Sequence, residues 1–211
     1  MGIVFCSMAG LVIFAHSGYF YQAKCCYNGN ISDENEEDEK MTQTATITKR
    51  LTFAGFFMAL NIALSSFGIP VPGGHFYLCD VAICTAAILL GPVDAFIVGG
   101  VGSFLGDLLF YPLPMFVSLA THGIQAVVIS LFVHTWMKKS EPAGAVVGVT
   151  VGAVIMVIGY SLGRAFVYAT PQYAVIKLPY EILQAAVGAV AAVPLCYKFR
   201  LKKIYERYMA A

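Results

Sequence analysis

The chain has few charged residues for its length. Of its 211 residues only 12% are charged, whereas 59% are hydrophobic, and soluble domains carry about 25% charged residues. This deficit of charge excludes an ordinary soluble domain. The composition therefore predicts an integral membrane protein.

The sequence also lacks the motifs of common enzyme and cofactor sites. It contains no HExxH, GxSxG or Walker A pattern, which mark zinc proteases, serine hydrolases and phosphate-binding loops. Its six cysteines show no CxxC pair with partner histidines, so neither a zinc site nor a disulfide framework is indicated. No acidic pair lies close in sequence within an apolar segment, as acid–base catalysis would favour. We therefore expect no enzymatic activity, no metal and no cofactor.

Acidic residues are concentrated near the N-terminus. Six of the 12 fall between Asp33 and Glu39, and the chain from Met41 onwards carries 11 basic and 6 acidic residues. We predict that residues 1–40 are an extension, first apolar and then acidic, which is either disordered or the product of a mis-assigned start. A real additional membrane segment is the alternative. Residues 41–211 are predicted to form the membrane domain.

Apolar residues run continuously after Lys49 instead of alternating. Lipid admits only helices and closed barrels, and continuous apolar runs favour helices. A spanning helix needs about 20 residues, which the chain supplies repeatedly between short polar or Pro/Gly-rich breaks. The predicted fold class is an all-α bundle of six transmembrane helices, near residues 50–67, 79–91, 93–110, 115–137, 143–168 and 178–199.

Lysine and arginine residues predict the orientation of these helices. They precede the first helix at Lys49 and Arg50, separate the fourth from the fifth at Lys138 and Lys139, and follow the sixth from Lys198 onwards. Six spans place all three groups on one side, and such residues favour the cytoplasmic side. Both core termini are therefore expected in the cytoplasm, with loops 68–78, 111–114 and 169–177 facing out. The basic tail is explained by this orientation without a nucleic-acid partner.

Small residues form a stripe on the first predicted helix. Gly55, Ala59 and Ala63 recur every four residues, which places them on one face. Small residues allow a second helix to approach closely within lipid. The stripe is predicted either to pack inside the bundle or to bind a separate membrane subunit.

Charged residues interrupt the apolar segments. Asp80 either caps the second helix or holds a ligand, and Asp94 is interpreted as a cap at a cytoplasmic turn. Asp107 and Arg164 lie at similar depth near the outer side, where they either pair with each other or hold a ligand. Charges at membrane depth are costly and are usually functional or paired.

Further polar and aromatic residues occur near the same side of the predicted bundle. Glu181 and Gln184 share a helical face, as do His122 and Gln125, because each pair is three residues apart. Aromatic residues in the outer loops could stack on a planar ring. The predicted substrate-binding residues are His75, Tyr77, Asp80, Asp107, Tyr111, His122, Arg164, Tyr168, Glu181 and Gln184.

Several segments stand in the order found in one transporter family. These are GGHFYLCD at 73–80, LLGP at 89–92, GGVGSFLGDLLFYPLP at 99–114 and LPYEILQAAVGAVAAVPL at 178–195. With the small-residue stripe, they resemble the S components of energy-coupling factor (ECF) vitamin transporters, of the riboflavin-type subgroup. The resemblance covers about residues 50–199.

The resemblance implies a six-helix subunit of an ATP-driven importer in the bacterial plasma membrane. Such a subunit captures a vitamin or precursor from outside and topples within the membrane to deliver it. Gly55, Ala59 and Ala63 would pack against a transmembrane coupling subunit, and two ATPase subunits would supply the energy. The expected ligand is riboflavin, a pyrimidine precursor of thiamine, or a pyridoxine-like compound. The alternative is a stand-alone small-molecule transporter or channel.

Overall fold

A computed structural model of the chain describes residues 11–16, 19–24 and 31–210, with side chains from Thr44 onwards. Residues 1–10, 17–18, 25–30 and 211 lie outside the described part, and the predictions made for residues 1–40 stay predictions. The chain divides into two units, Met1–Ala45 and Thr46–Ala211. In the first, strands β1 (Leu11–His16) and β2 (Tyr19–Lys24) pair antiparallel, with Leu11 opposite Lys24.

Helices make up most of residues 31–210. A short antiparallel hairpin, β3 (Ile69–Val71) and β4 (Gly74–Phe76), joins the first helix to the second. The helices are α1 (Ile31–Ser66), α2 (Cys79–Leu89), α3 (Pro92–Phe110), α4 (Met115–Trp136), α5 (Lys138–Tyr168), α6 (Pro171–Tyr197) and α7 (Leu201–Ala210).

Five segments in this part of the chain are long and apolar enough to cross a membrane. They are the Thr44–Ser66 part of α1 and the helices α3, α4, α5 and α6, whereas α2 is apolar but shorter. A predominantly helical membrane fold is therefore confirmed.

Proline sets two helix starts. Gly91 is extended before Pro92, which occupies the first turn of α3, where its missing N–H costs nothing. Thr170 is likewise extended before Pro171, which begins α6. The predicted start of this helix near residue 178 is therefore wrong, and Pro179 lies inside the helix. Pro179 follows the predicted start by one residue, where a first-turn proline is tolerated, but Thr170–Pro171 already provides that geometry.

Helix α2 forms the centre of the bundle. Almost every residue of α2 is buried, and Ile83, Ala86, Ala87 and Ile88 have no exposed surface. The helix packs against α4 and α6. A helix that is apolar on all sides requires neighbours on all sides, which explains its central position.

Each of the three helices α3, α4 and α5 contains a π-helical turn, at Ile97–Val101, Phe132–Trp136 and Arg164–Tyr168. Such turns leave backbone groups without their usual helical partner and occur often at functional sites. In the first, the Val98 carbonyl accepts a hydrogen bond from Asn61 Nδ2 at 2.8 Å. The third turn carries Arg164, one of the predicted ligand-binding residues.

Gly188 provides a test of the packing of α6 on α2. A Cβ atom at Gly188 of α6 would lie 2.6 Å from Asp80 Cβ and 3.1 Å from the Asp80 carbonyl carbon in α2. We expect Gly188→Ala to destabilise the protein by about 1–3 kcal/mol, as overpacking of a core does. The matched control is Gly55→Ala, because a Cβ there has no atom within 4 Å. Thermal melting of the purified protein in detergent measures both, and equal melting temperatures would contradict the described packing of α6 on α2.

Candidate ligand-binding cavity

One cavity opens at the end of the bundle that carries the β3–β4 hairpin. Counted together with its open mouth, it contains about 600 Å³ of space free of protein atoms. Nine of the ten predicted substrate-binding residues line it. They are His75, Tyr77, Asp107, Tyr111, His122, Arg164, Tyr168, Glu181 and Gln184.

The tenth predicted residue, Asp80, lies behind the cavity wall. Its side chain is 1% exposed, and its carboxylate accepts hydrogen bonds from Gln184 Nε2 at 2.7 Å and from Gln125 Nε2 at 3.3 Å. Leu78 is the N-cap residue of α2, and no side chain caps that helix. The interpretation of Asp80 as a cap is therefore wrong, because its oxygens are used by side chains of α4 and α6.

The two glutamines extend this hydrogen bonding toward the cavity. Gln184 Oε1 accepts the backbone N–H of Tyr77 at 3.1 Å, and Gln125 Oε1 lies 2.7 Å from His122 Nδ1. We call Asp80, Gln125, Gln184 and His122 the Asp80 network. All four side chains are buried. The network joins α2 to α4 and α6, and through Tyr77 it reaches the segment that follows the hairpin.

Arg164 forms its ion pair with Glu181. Arg164 Nη2 lies 2.9 Å from Glu181 Oε1, and its Nη1 donates to the Gly73 carbonyl at 2.9 Å. The predicted alternative of an Asp107–Arg164 pair is therefore wrong. Arg164 stands in the last π-helical turn of α5, beside the first turns of α6 that carry Glu181.

Asp107 is hydrogen-bonded to hydroxyl groups. Its Oδ2 accepts a short hydrogen bond from Ser118 Oγ, and Ser118 Oγ lies 2.5 Å from the Tyr160 hydroxyl. The Tyr160 ring in turn contacts the His122 ring, with 5.2 Å between centroids. A polar wall thus runs across α3, α4 and α5.

Sequence reasoning missed Lys177. This residue is buried, and its Nζ donates to the His75 carbonyl. It was assigned to an outer loop, whereas α6 already begins at Pro171. The available signal was that Lys177 is the single lysine on a side of the predicted bundle otherwise nearly free of lysine and arginine. Ser118 and Tyr160 were also missed, because serine and tyrosine are common in membrane helices without a binding role.

Two glycine residues allow the hairpin to lie close to the side chains of Arg164 and Lys177. Gly73 has φ +81°, and a Cβ there would lie 3.0 Å from Lys177 Cβ. Gly74 has φ +150°, and a Cβ there would lie 3.3 Å from Arg164 Nη1. Both positions therefore favour glycine. Arg164 and Lys177 hold the hairpin against α5 and α6 through its carbonyl groups.

Cys79, Asp80 and His122 also have the donor types of a metal site, with one ligand atom from each lying within 4.8 Å of the others. The Asp80 oxygens and His122 Nδ1 are already hydrogen-bonded to Gln125 and Gln184. A metal at this position would have to displace Gln125. The described contacts are those of a hydrogen-bond network.

The small-residue stripe lies on the outside of the described bundle. Gly55, Ala59 and Ala63 are all exposed, whereas Asn61 and Ser65 on the opposite face of α1 are buried. The alternative that the stripe packs inside this bundle is therefore wrong. Ser65 also lines the cavity, so α1 contributes to the cavity with one face and leaves the other uncovered.

Asp94 lies at the end of the bundle away from the cavity. It occupies the first turn of α3 and pairs with Arg50, whose Nη2 lies 2.7 Å from Asp94 Oδ2. Gly91 is the N-cap residue, so the interpretation of Asp94 as the cap is wrong. Its carboxylate is still favourably placed near a helix N-terminus.

A family model and two known proteins match most of this chain. A family model described as the ECF-type riboflavin transporter S component matches residues 45–202. An uncharacterized protein of Pyrococcus woesei is 31% identical over 153 residues, which cover 70% of this chain and the whole relative. The thiamine precursor transporter HmpT of Lactococcus lactis is 32% identical over 149 residues, which cover 68% of this chain and 83% of the relative.

The Arg164–Glu181 pair can be tested against the Arg50–Asp94 pair. The side chains of Arg164 and Glu181 are 11% and 2% exposed, whereas those of Arg50 and Asp94 are 45% and 16% exposed. We expect Arg164→Met to cost about 3–5 kcal/mol, because it leaves Glu181 buried without its partner. Arg50→Met should cost about 1 kcal/mol or less.

Thermal or denaturant unfolding in detergent measures both changes. The double variant with Arg164→Met and Glu181→Met should recover most of the loss, because no unpaired charge remains. Equal losses for Arg164→Met and Arg50→Met would show that Arg164 is not held in a buried pair.

Proposed function

The chain belongs to the family of ECF-type riboflavin transporter S components, and from this membership we propose how it captures its ligand and meets its partners. It is a membrane-embedded transport subunit that binds a vitamin or vitamin precursor for import, and it is not an enzyme. The observation that carries the proposal in detail is the cavity, which gathers aromatic, acidic and basic side chains at one end of an otherwise apolar bundle.

The cavity end is proposed to face outward in a bacterial plasma membrane. Lys138, Lys139 and the basic residues from Lys198 to Arg207 lie at the opposite end, consistent with the positive-inside rule. Helix α2 has 11 residues and is about 16 Å long, shorter than the hydrocarbon core, but it is enclosed by other helices. Counted with the five longer segments it makes six membrane-embedded helices, with both ends of the core in the cytoplasm. Residues 41–211 are proposed to form this domain.

The proposed ligand is a vitamin precursor with a single planar ring, in the first place a pyrimidine precursor of thiamine. The similarity to HmpT supports this choice, as do the aromatic side chains of Tyr77, Tyr111 and Tyr168 on the cavity wall. Tyrosine rings offer faces for stacking a planar heterocycle. Riboflavin and a pyridoxine-like compound are the competing ligands, the first supported by the description of the family model.

The exposed stripe of Gly55, Ala59 and Ala63 is proposed to bind the transmembrane coupling subunit. An uncovered face of small residues on a membrane helix is suited to close packing against a second helix. Energy would come from two ATPase subunits bound to that coupling subunit. Because the cavity lies on the other face of α1, ligand and partner can be bound at the same time.

Ligand binding is tested by calorimetric titration of the purified protein. The single tryptophan, Trp136, ends α4 at the end away from the cavity, so tryptophan fluorescence is a poor reporter here. We expect saturable binding of one equivalent of 4-amino-5-hydroxymethyl-2-methylpyrimidine, and weaker or no binding of riboflavin and pyridoxine. Tight binding of riboflavin alone would replace the proposed ligand, and binding of none of the three would contradict the proposal.

The partner surface is tested by Ala59→Trp. A bulky indole on the stripe should prevent close packing of the coupling subunit, so that uptake into cells falls at least about tenfold, equivalent to 1.4 kcal/mol. Binding to the purified protein should be unchanged, because Ala59 does not line the cavity. The matched control is Leu162→Trp, an exposed position on α5. Unimpaired uptake by the Ala59→Trp variant would exclude the stripe as the docking surface.

A further inference from the structure

In the Asp80 network each hydrogen bond has a definite donor and acceptor. The assignment starts from the backbone N–H of Tyr77. The backbone N–H of Tyr77 can only donate, so the Gln184 atom that lies 3.1 Å from it must be the oxygen. Gln184 Nε2 then faces Asp80 Oδ2 at 2.7 Å. Because an amide N–H₂ can only donate, Asp80 Oδ2 must accept and carries no proton.

The assignment of donors and acceptors continues from the other carboxylate oxygen of Asp80, Oδ1. Gln125 Nε2 faces Asp80 Oδ1 at 3.3 Å and can only donate, so this oxygen accepts as well and neither oxygen of Asp80 carries a proton. Gln125 Oε1 then lies 2.7 Å from His122 Nδ1. Nδ1 must therefore carry a proton, and Asp80 Oδ1 lies 3.8 Å from the same nitrogen. The ring edge with Nδ1 is turned to Gln125, so the opposite edge with Nε2 is the one available to the cavity that His122 lines. A neutral His122 then presents an acceptor.

A second chain of hydrogen bonds also leaves acceptors facing the cavity. Ser118 has one hydroxyl proton and gives it to Asp107 Oδ2, so the Tyr160 hydroxyl must donate to Ser118. The lone pairs of the Tyr160 hydroxyl and the second oxygen of Asp107 remain available as hydrogen-bond acceptors for a ligand. On the other side of the cavity, Arg164 and Lys177 use some of their N–H groups to bind Glu181 and carbonyl groups of the hairpin.

From this arrangement we propose that Asp80 is a positioning residue that sets the ligand specificity of the cavity through Gln125 and His122. By fixing the Nδ1–H tautomer of His122, it makes the wall formed by α3, α4 and α5 a surface of acceptors. The cavity therefore selects a ring that offers N–H or O–H donors, such as an aminopyrimidine, over one that offers a carbonyl at the same place. This inference rests on the proposed function of the cavity as a ligand site.

The substitution Asp80→Asn should reverse the direction of the network with almost no change of shape. Gln184 is fixed by Tyr77, so it still directs Nε2 to position 80, and the new amide must present its oxygen there. Its N–H₂ group then faces Gln125, which must turn its oxygen toward it and its Nε2 toward His122. His122 Nδ1 becomes an acceptor, the proton moves to Nε2, and the cavity gains a donor in place of an acceptor.

Nitrogen-15 NMR of the four histidines in the detergent-solubilised full chain tests the tautomer without any ligand, because protonated and unprotonated imidazole nitrogens resonate far apart. We expect His122 to be protonated at Nδ1 in the unmodified protein and at Nε2 after Asp80→Asn. The control Ser130→Ala removes another buried hydrogen bond of α4, to the Leu90 carbonyl, and should leave the tautomer unchanged. Nε2 protonation in the unmodified protein, or no change after Asp80→Asn, would overturn the proposal.

Two further measurements keep the test decisive. Gln125→Leu breaks the link while leaving Asp80 in place, and it should turn a single tautomer of His122 into a mixture, which decides the question if Asp80→Asn does not fold. Addition of a chelator should leave the His122 signals unchanged. A shift on chelation would show that His122 binds a metal and would overturn the proposed network.

Ligand preference gives the functional test. The unmodified protein should bind 4-amino-5-hydroxymethyl-2-methylpyrimidine at least about tenfold more tightly than its 4-oxo counterpart, equivalent to about 1.4 kcal/mol, because the 4-oxo group would face an acceptor with no proton to share. Asp80→Asn should abolish or reverse this preference. Binding of both compounds without preference would contradict this inference alone. If neither pyrimidine, riboflavin nor pyridoxine binds, the proposed function is contradicted. The tautomer measurement would still stand in that case.

Discussion

The cavity end of the bundle depends on the hydrogen bonding of one buried carboxylate. Asp80 stands in the first turn of the central helix α2, in a bundle of predominantly apolar helices. A charge at such a depth is costly unless protein groups solvate it, and here two glutamine amides on α4 and α6 do so. The same two amides connect α2 to His122 and to the backbone of Tyr77. One solvation requirement thus aligns three helices and the segment after the hairpin.

The cationic side chains complete the arrangement from the other side of the cavity. Arg164 and Lys177 donate to the Gly73 and His75 carbonyls, and Arg164 also neutralises Glu181. Part of their N–H groups is therefore used by the hairpin and by Glu181. The wall formed by α3, α4 and α5 adds acceptors, and the tyrosine rings add aromatic faces. The polarity of the cavity follows from which groups the protein has already satisfied.

Much of the architecture could be predicted from composition and periodicity. The apolar segments, the short second helix and nine of the cavity residues were found because length and polar interruption are local signals. Which charged side chains pair with each other was not predictable in the same way. A pair of Arg164 with Asp107 was one of two alternatives, because both lie at similar depth, but the packing of α5 on α6 brings Arg164 to Glu181.

Two further errors have local causes. The start of α6 was misplaced because Pro179 resembles a first-turn proline, although Pro171 takes that role, and Lys177 was therefore left in a loop. Asp80 was predicted to be either a cap or a ligand-binding residue, and the cap was considered because its position in the sequence suits one. Its true partners lie 45 and 104 residues away along the chain, so no local pattern could reveal them.

Helix α1 connects the two proposed activities of the subunit. Its buried face contributes Ser65 to the cavity, and its exposed face carries Ala59 and Ala63. The central claim is that the cavity holds one small ring compound. Mass spectrometry of the protein, purified after growth with candidate vitamins and precursors and then denatured, tests it most directly. We predict near-stoichiometric release of a single planar compound with amino or hydroxyl donors, whereas release of no small molecule from well-folded protein would contradict the account.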